Sequence, residues 1–251
     1  MENKTFIYYE QLDSTNTKLN ELAIEGAEVG TVVVADSQTA GRGRRGRVWE
    51  SPGGDNLYMS VLLRPEIDTT KAPMLTLVMA YAVAKVIHSC GFLDVQIKWP
   101  NDLILSGKKI CGILTEMHLS GTQIAHIVIG VGINVNTKDF SEELVDKATS
   151  LHLECGKLFD KDQLLKEIVD SFWCNYETFI QKGDLAFLQE EYNSFLVNRE
   201  KEVRVLEPEQ EYTAYALGIN QMGELLVELP DGTRKRVFAG EVSVRGLYGY
   251  V

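Results

Sequence analysis

Apolar and polar positions alternate with a period of two in several short runs of this chain and follow a helical period in others. Phe6–Glu10, Thr31–Ala35 and Asn56–Leu63 are rich in β-branched and aromatic residues and read as strands. Between the first two, Lys18–Ile24 reads as a helix entered through Ser14-Thr-Asn16, residue types whose commonest work is to cap a helix. Residues 71–90 are apolar almost throughout and read as a core helix. Three strand candidates follow, Val95–Lys98, Lys109–Met117 and Ile124–Asn136. Leu164, Leu165, Ile168, Val169, Phe172, Trp173, Tyr176 and Phe179 then recur at helical spacing, a broad apolar face suited to core packing.

The pattern changes after about Asn198. Glu202–Leu206, Tyr212–Leu217, Glu224–Leu229, Arg234–Phe238 and Glu241–Arg245 are short alternating runs, punctuated by Gly223, Pro230-Asp-Gly232 and Gly240. Five such strands in about fifty residues predict a small β-barrel. The expected organisation is therefore an α+β domain over 1–198, a mixed sheet with flanking helices, followed by a barrel domain over 199–251.

Composition narrows the partners. The chain has 251 residues, 45% of them apolar, and its charge is 25 − 36 = −11. That balance opposes a broad nucleic-acid or anionic-membrane surface. The polar start carries no secretory signal pattern, and the uncharged run Met74–Ala84 is too short to span a bilayer. The four cysteines have neither metal-ligand nor disulfide spacing. A cytoplasmic protein is expected.

Against this acidic background, Gly41-Arg-Gly-Arg-Arg-Gly-Arg47 sets four arginines and three glycines in seven residues, with no acid among them. The string matches the dinucleotide fingerprint only in its letters. That fingerprint needs its last glycine to open a helix, and Val48-Trp-Glu-Ser-Pro52 is a poor helix start. A loop that folds over a carboxylate or phosphate fits better, because guanidinium forks grip such anions in bidentate fashion. Lys98-Trp-Pro-Asn-Asp102 is a second unusual string, a strand end closed by a turn pair. A tight strand–turn–strand here would bring Asn101, Asp102 and Lys109 to neighbouring positions. In Gly130-Val-Gly-Ile-Asn-Val-Asn136 the glycines permit close approach of a ligand or another backbone. The four histidines show no metal pairing.

Taken in order, these strings resemble a biotin–protein ligase: Ser14-Thr-Asn16, Gln38 with Gly41–Arg47 and Trp49, Lys98–Leu103, Lys109 in Lys-Lys-Ile-Cys-Gly-Ile-Leu, Gly130–Asn136, and Gly240–Arg245. The resemblance implies a seven-stranded mixed sheet with flanking helices, then an SH3-like barrel. It also implies that biotin and ATP form biotinyl-5′-AMP, which acylates a lysine of a biotin carboxyl carrier domain in a biotin-dependent carboxylase. On this resemblance Ser14, Thr15, Asn16 and Gln38 face the ureido ring, with Gly112 letting the backbone approach it and Gly41 and Gly43 shaping the loop. Arg42, Arg44 and Lys109 neutralise and bridge the biotin carboxylate and the α-phosphate. Arg47, Trp49, Asn101, Ile133 and Asn134 form the adenylate side, and Mg²⁺ screens the pyrophosphate; its ligands are not assigned. Asp102 orients or deprotonates the acceptor lysine. The loop over 41–51 is expected to move in the empty protein and close on its ligands.

Ser14 follows only thirteen residues, so a helix-turn-helix module and operator binding are not expected. The same family contains monomers and dimers formed through a sheet edge. Gly218-Ile-Asn220 replaces a commoner Gly-Ile-Asp. Lipoate–protein ligase shares the chemistry but generally lacks the arginine–glycine string and the barrel. A non-catalytic biotin sensor and a nucleic-acid binder are the remaining alternatives, and the acidic charge opposes the latter.

Overall fold

The protein is described by a computed structural model over residues 4–207, 210–239 and 243–246. The backbone divides into two compact units, one of residues 1–72 and 109–167, the other of 73–108 and 168–251.

In the first unit, β1 (Thr5–Leu12) and β2 (Thr31–Gln38) run parallel, joined through α1 (Thr15–Ile24). Then β3 (Leu57–Leu63), β7 (Gln123–Ile133) and β6 (Lys108–Ser120) add antiparallel, in the order β1-β2-β3-β7-β6, which makes the sheet mixed. All seven residues of β3 are buried, as a central strand covered on both faces requires. Leu19 and Ala23 of α1 pack with Val33, Leu62 and Val128 of the sheet, so the helix N-terminus is held over the sheet's face.

The second unit is built around α2 (Met74–Ser89). Thirteen of its residues are buried, which explains why its sequence shows no polar face. The stretch Thr69–Ser89 is apolar and long enough to cross a membrane by composition alone, but 78% of its apolar window is buried within the protein. It is a core helix. Against α2 lies the hairpin of β4 (Gln96–Lys98) and β5 (Asp102–Leu105). After the short helix α3 (Leu151–Cys155), whose residues belong to the first unit, comes α4 (Lys161–Lys182). Its predicted apolar face is buried from Leu164 to Phe179, and Asp160 Oδ1 accepts from the amides of Asp162 and Gln163 at its start.

Helix α5 (Gln189–Phe195) leads to β8 (Lys201–Leu206), β9 (Glu211–Ile219), β10 (Leu225–Glu228), β11 (Arg234–Val237) and β12 (Ser243–Gly246). These form an antiparallel sheet of order β11-β10-β9-β8-β12, the C-terminal all-β module expected. Gly240, Glu241 and Val242 lie outside the described residues. Asn193 of α5 accepts from Ile219 N and donates to Ile219 O, which pins β9 to the helix.

Several boundaries differ from the sequence reading. Strand β5 and helices α3 and α5 have no strong periodic signal, being four, five and seven residues long. The predicted strand over Ile124–Asn136 stops at Ile133. Asn56 explains that stop: its Oδ1 accepts from Val135 N and Thr137 Oγ1, turning the chain away from the sheet.

Candidate active site

The most connected polar cluster of the first unit surrounds the start of α1. Ser14 stands at the N-cap with extended backbone angles, yet its side chain makes no capping bond. Gln38, at the end of the parallel neighbour of β1, supplies the acceptor instead: its Oε1 takes the Thr15 amide at 2.8 Å. The Thr15 hydroxyl lies 3.3 Å from the same oxygen. Gln38 Nε2 then donates to Ser51 Oγ at 2.8 Å, and Ser51 Oγ to Trp49 O at 3.0 Å. Hydrogen bonds thus run continuously from the helix into the arginine loop.

Asn16 is buried and fully engaged. Its Oδ1 accepts from Ser60 Oγ at 2.6 Å, and its Nδ2 donates to Glu116 Oε2 at 2.7 Å and to Leu114 O at 3.3 Å. Gly130 makes this possible, since a Cβ there would sit 2.1 Å from Asn16 Oδ1. The close approach foreseen for the glycines of β7 is therefore made, at this position, by a side chain of the protein.

The arginine loop is ordered by its own backbone. Arg42 and Val48 form an antiparallel bridge, Gly43 N donates to Arg47 O at 2.7 Å, and Trp49 N donates to Gly41 O at 2.9 Å. Residues Arg44–Gly46 make a single 3-10 turn, and no α-helix follows Gly46, as the rejection of a dinucleotide fingerprint requires. The side chain of Arg42 reaches β6, where Nη2 meets Glu116 Oε2 at 2.9 Å. Arg44 is half-buried, while Arg45 and Arg47 are exposed.

Trp49 closes over the sheet. Gly112 and Gly132 are register partners on β6 and β7. A Cβ on Gly132 would fall 2.5 Å from Trp49 Nε1, and one on Gly112 2.9 Å from Trp49 Cζ3. The two glycines form a floor on which the indole lies. Lys109 shares it, with Nζ 5.2 Å from the indole centroid and 3.2 Å from a Cβ placed on Gly112. A cation at that distance from an indole is attracted to the ring. The Lys109 backbone is stitched to 147–149 by Lys109 N to Lys147 O (2.8 Å) and Thr149 N to Lys109 O (3.0 Å). Trp49 Nε1 is buried with no hydrogen-bond partner, an uncommon state that marks a place where an acceptor would be favoured.

Ile133 is fully buried at the end of β7. Asn134 is also buried, and its Nδ2 donates to Thr149 O at 3.1 Å. Asn101 and Asp102 belong to the second unit, at the turn and start of the β4–β5 hairpin, where Asn101 Nδ2 donates to Asp102 Oδ1 at 3.0 Å. The hairpin is anchored by Trp99, whose peptide to Pro100 is cis and whose Nε1 donates to Gly223 O at 3.1 Å.

Three members of the first cluster were missed from sequence: Ser51, Ser60 and Glu116. Ser60 had a usable signal, being the one serine within a strand otherwise of aliphatic residues, methionine and a tyrosine, where a buried polar group must find a partner. Glu116 had none, because an acid on a strand reads as solvated.

The chain belongs to the Biotin/lipoate A/B protein ligase family, whose profile matches residues 8–134. The Biotin protein ligase C terminal domain matches residues 200–245. It is 39% identical over 242 residues to the bifunctional ligase/repressor BirA of Bacillus subtilis, covering 95% of this chain and 73% of that protein. The biotin–[acetyl-CoA-carboxylase] ligase of Paracoccus denitrificans is 35% identical over 165 residues, covering 64% of this chain and 68% of its own. Among solved structures, the biotin protein ligase of Aquifex aeolicus in complex with biotin and ATP superposes with a TM-score of 0.85 at 32% identity, covering 97% of this chain and all of that one.

Proposed function

We infer that this chain is an AMP-forming biotin–protein ligase, which activates biotin with ATP and transfers it to a lysine of a carrier domain. The observation that carries the reading is the chain of hydrogen bonds from the Thr15–Gln38 pair through Ser51 to Trp49, whose indole shares the glycine floor with Lys109. It offers urea-compatible donors and acceptors at one end and cations at the other.

In the first step a biotin carboxylate oxygen attacks the α-phosphorus of ATP. A C–O–P mixed anhydride forms, the bond to the β-phosphate oxygen breaks, and pyrophosphate leaves with its electron pair. We assign Lys109 and Arg44 to the negative charge that concentrates on the α-phosphoryl oxygens, with Arg42 at the carboxylate. Ser14, Thr15, Gln38 and Gly112 take the ureido ring, with Asn16 beneath them. Gly41 and Gly43 shape the loop on the same side. Trp49 offers a face for the purine, and Arg47, Asn101, Ile133 and Asn134 complete the adenylate side. In the second step the acceptor amine, after losing a proton, attacks the acyl carbon, an amide forms and AMP leaves. Asp102 is our candidate for that proton.

Among the described residues no group of three or more His, Cys, Asp or Glu could hold a metal. No step is assigned to the ion; Mg²⁺ would arrive on the ATP phosphates. We place the enzyme in the cytoplasm, give the 199–251 module the status of a separate domain, and take the carrier domain of a carboxylase as its protein partner. Closure of the 41–51 loop on ligand would exclude water from the anhydride.

The test is incorporation of labelled biotin into an acceptor domain. Incorporation should need ATP and the acceptor lysine and should not occur with lipoate. Tight biotin binding without incorporation would make the protein a sensor, and incorporation of lipoate would make it the other kind of ligase.

A further inference from the structure

We propose that Glu116 is a positioning residue of this site, tying the biotin side to the arginine loop through one carboxylate oxygen. The inference rests on the ligase reading above. Gly112, Leu114 and Glu116 alternate along β6, so their side chains leave one face of the sheet, the face on which Trp49 lies. Glu116 Oε2 accepts from Asn16 Nδ2 at 2.7 Å and from Arg42 Nη2 at 2.9 Å. A second link runs from the α1 cluster through Gln38 and Ser51 to the backbone of Trp49.

Two consequences follow from the chemistry of that oxygen. An acceptor facing Asn16 fixes which way its amide points, since Nδ2 must turn to Glu116 and Oδ1 to the Ser60 hydroxyl. That same Ser60 oxygen lies 2.8 Å from Thr15 Oγ1, beside Gln38, so the amide orientation carries over to the groups assigned to the ureido ring. On its other side Glu116 holds one amino group of Arg42, leaving the rest of the fork for an anion. A loop with four arginines repels itself, and without the carboxylate Arg42 would spread over many rotamers. The ion pair is partly exposed, with 46% of the Arg42 side chain and 28% of that of Glu116 accessible. Its value therefore lies in placing the guanidinium, and its contribution to stability is small. The carboxylate serves the first half-reaction, where Arg42 meets biotin, and has no part in transfer from a finished adenylate.

The experiment is a double-mutant cycle on Glu116→Gln and Arg42→Met, read as biotin-dependent exchange of pyrophosphate into ATP and, separately, as transfer from supplied biotinyl-5′-AMP. Each single variant should raise the biotin KM about tenfold, the size of one charged hydrogen bond. In Glu116→Gln the rate of transfer from supplied adenylate should stay within about twofold, and the double variant should be no worse than Arg42→Met alone. Additive effects of the two substitutions would overturn the pairing. A fall in thermal midpoint with equal losses in both half-reactions would show a merely structural carboxylate and overturn it too. Should Glu116→Gln fail to fold, Glu116→Asp, whose shorter side chain cannot keep both bonds, carries the test: an unchanged biotin KM overturns the proposal and a raised one with intact transfer supports it. Absence of exchange in the unmodified protein would instead overturn the ligase reading, so the two failures are distinguishable.

Discussion

Adding one methyl group at Gly130 should disable the helix end of the site while leaving the sheet's hydrogen bonds available. Gly130 lies mid-strand in β7, opposite Ser60 on one side and Leu114 on the other. Its left-handed freedom is not in use, because it is absent from the residues with positive φ. The methyl would instead meet Asn16, with Oδ1 at 2.1 Å, Cγ at 2.9 Å and Nδ2 at 3.1 Å. To clear the methyl the Asn16 amide must leave the position from which it bonds Ser60, Glu116 and Leu114. One charged and two neutral bonds are together worth about 3–5 kcal/mol. Alanine returns about 0.4–1 kcal/mol by restricting the unfolded chain, which leaves a net loss of about 2–4 kcal/mol. In a chain of this length that corresponds to a fall of roughly 5–10 °C in Tm. Scanning calorimetry reads the stability, and titration of biotin reads the site. Gly43→Ala is the control, since its Cβ would meet nothing nearer than Arg47 O at 3.4 Å, and it should stay within about 0.5 kcal/mol. A Gly130→Ala protein with wild-type Tm and biotin affinity would refute the reasoning, because Asn16 would then be dispensable where it sits.

Other outcomes are expected from the same physical arguments. Lys109→Ala should slow adenylate formation at least about 100-fold, as loss of a charge-stabilising donor does, measured by pyrophosphate exchange. Its Tm should move by no more than about 2 °C, because the strand is held by backbone bonds that the substitution keeps. Asn56→Ala should cost about 2–4 kcal/mol in urea unfolding, since three buried bonds, to Val135 N, Thr137 Oγ1 and Tyr58 Oη, lose their partner. His126 is held below its usual 6.5 by burial first, then by the stacked His118 ring 4.5 Å away and by Arg64. The unfolded chain therefore takes up the proton first. Stability should be level above pH 6.5 and should decline as pH falls below it, and His126→Gln should flatten that slope in Tm measured against pH.

Much of the fold was legible because the signals were local. Strands such as Thr31–Val34 carry unbroken β-branched residues, and α4 repeats apolar residues over about four turns. The turns of the C-terminal module are written in glycine, proline and aspartate. Elements too short to develop a period, β5 and α5 among them, were not legible. Their order comes from packing: α5 lies on β9 and β4, and β5 pairs with β4. The end of β7 was misjudged because Asn134 and Asn136 follow an apolar strand without interruption, and the residue that bends the chain, Asn56, is eighty residues away in sequence.

The site divides in the same way. Residue types chosen for anion and urea chemistry announce themselves in sequence, since glycine-spaced arginines, a lysine and an adjacent tryptophan are unusual together. By itself the sequence thus determined the class of chemistry, the candidate residues and the α+β organisation. Only the tertiary structure decided which of those residues bond one another and through which atoms. Asn16, a candidate contact by its place in the motif, has each polar atom of its side chain bonded within the protein; Glu116, silent in sequence, joins it to Arg42. Gly112 and Gly132 become meaningful only when two antiparallel strands align them under one indole. The reason is physical: hydrogen-bond partners and steric clearances are set across 45 to 100 residues of chain, and no local pattern encodes them.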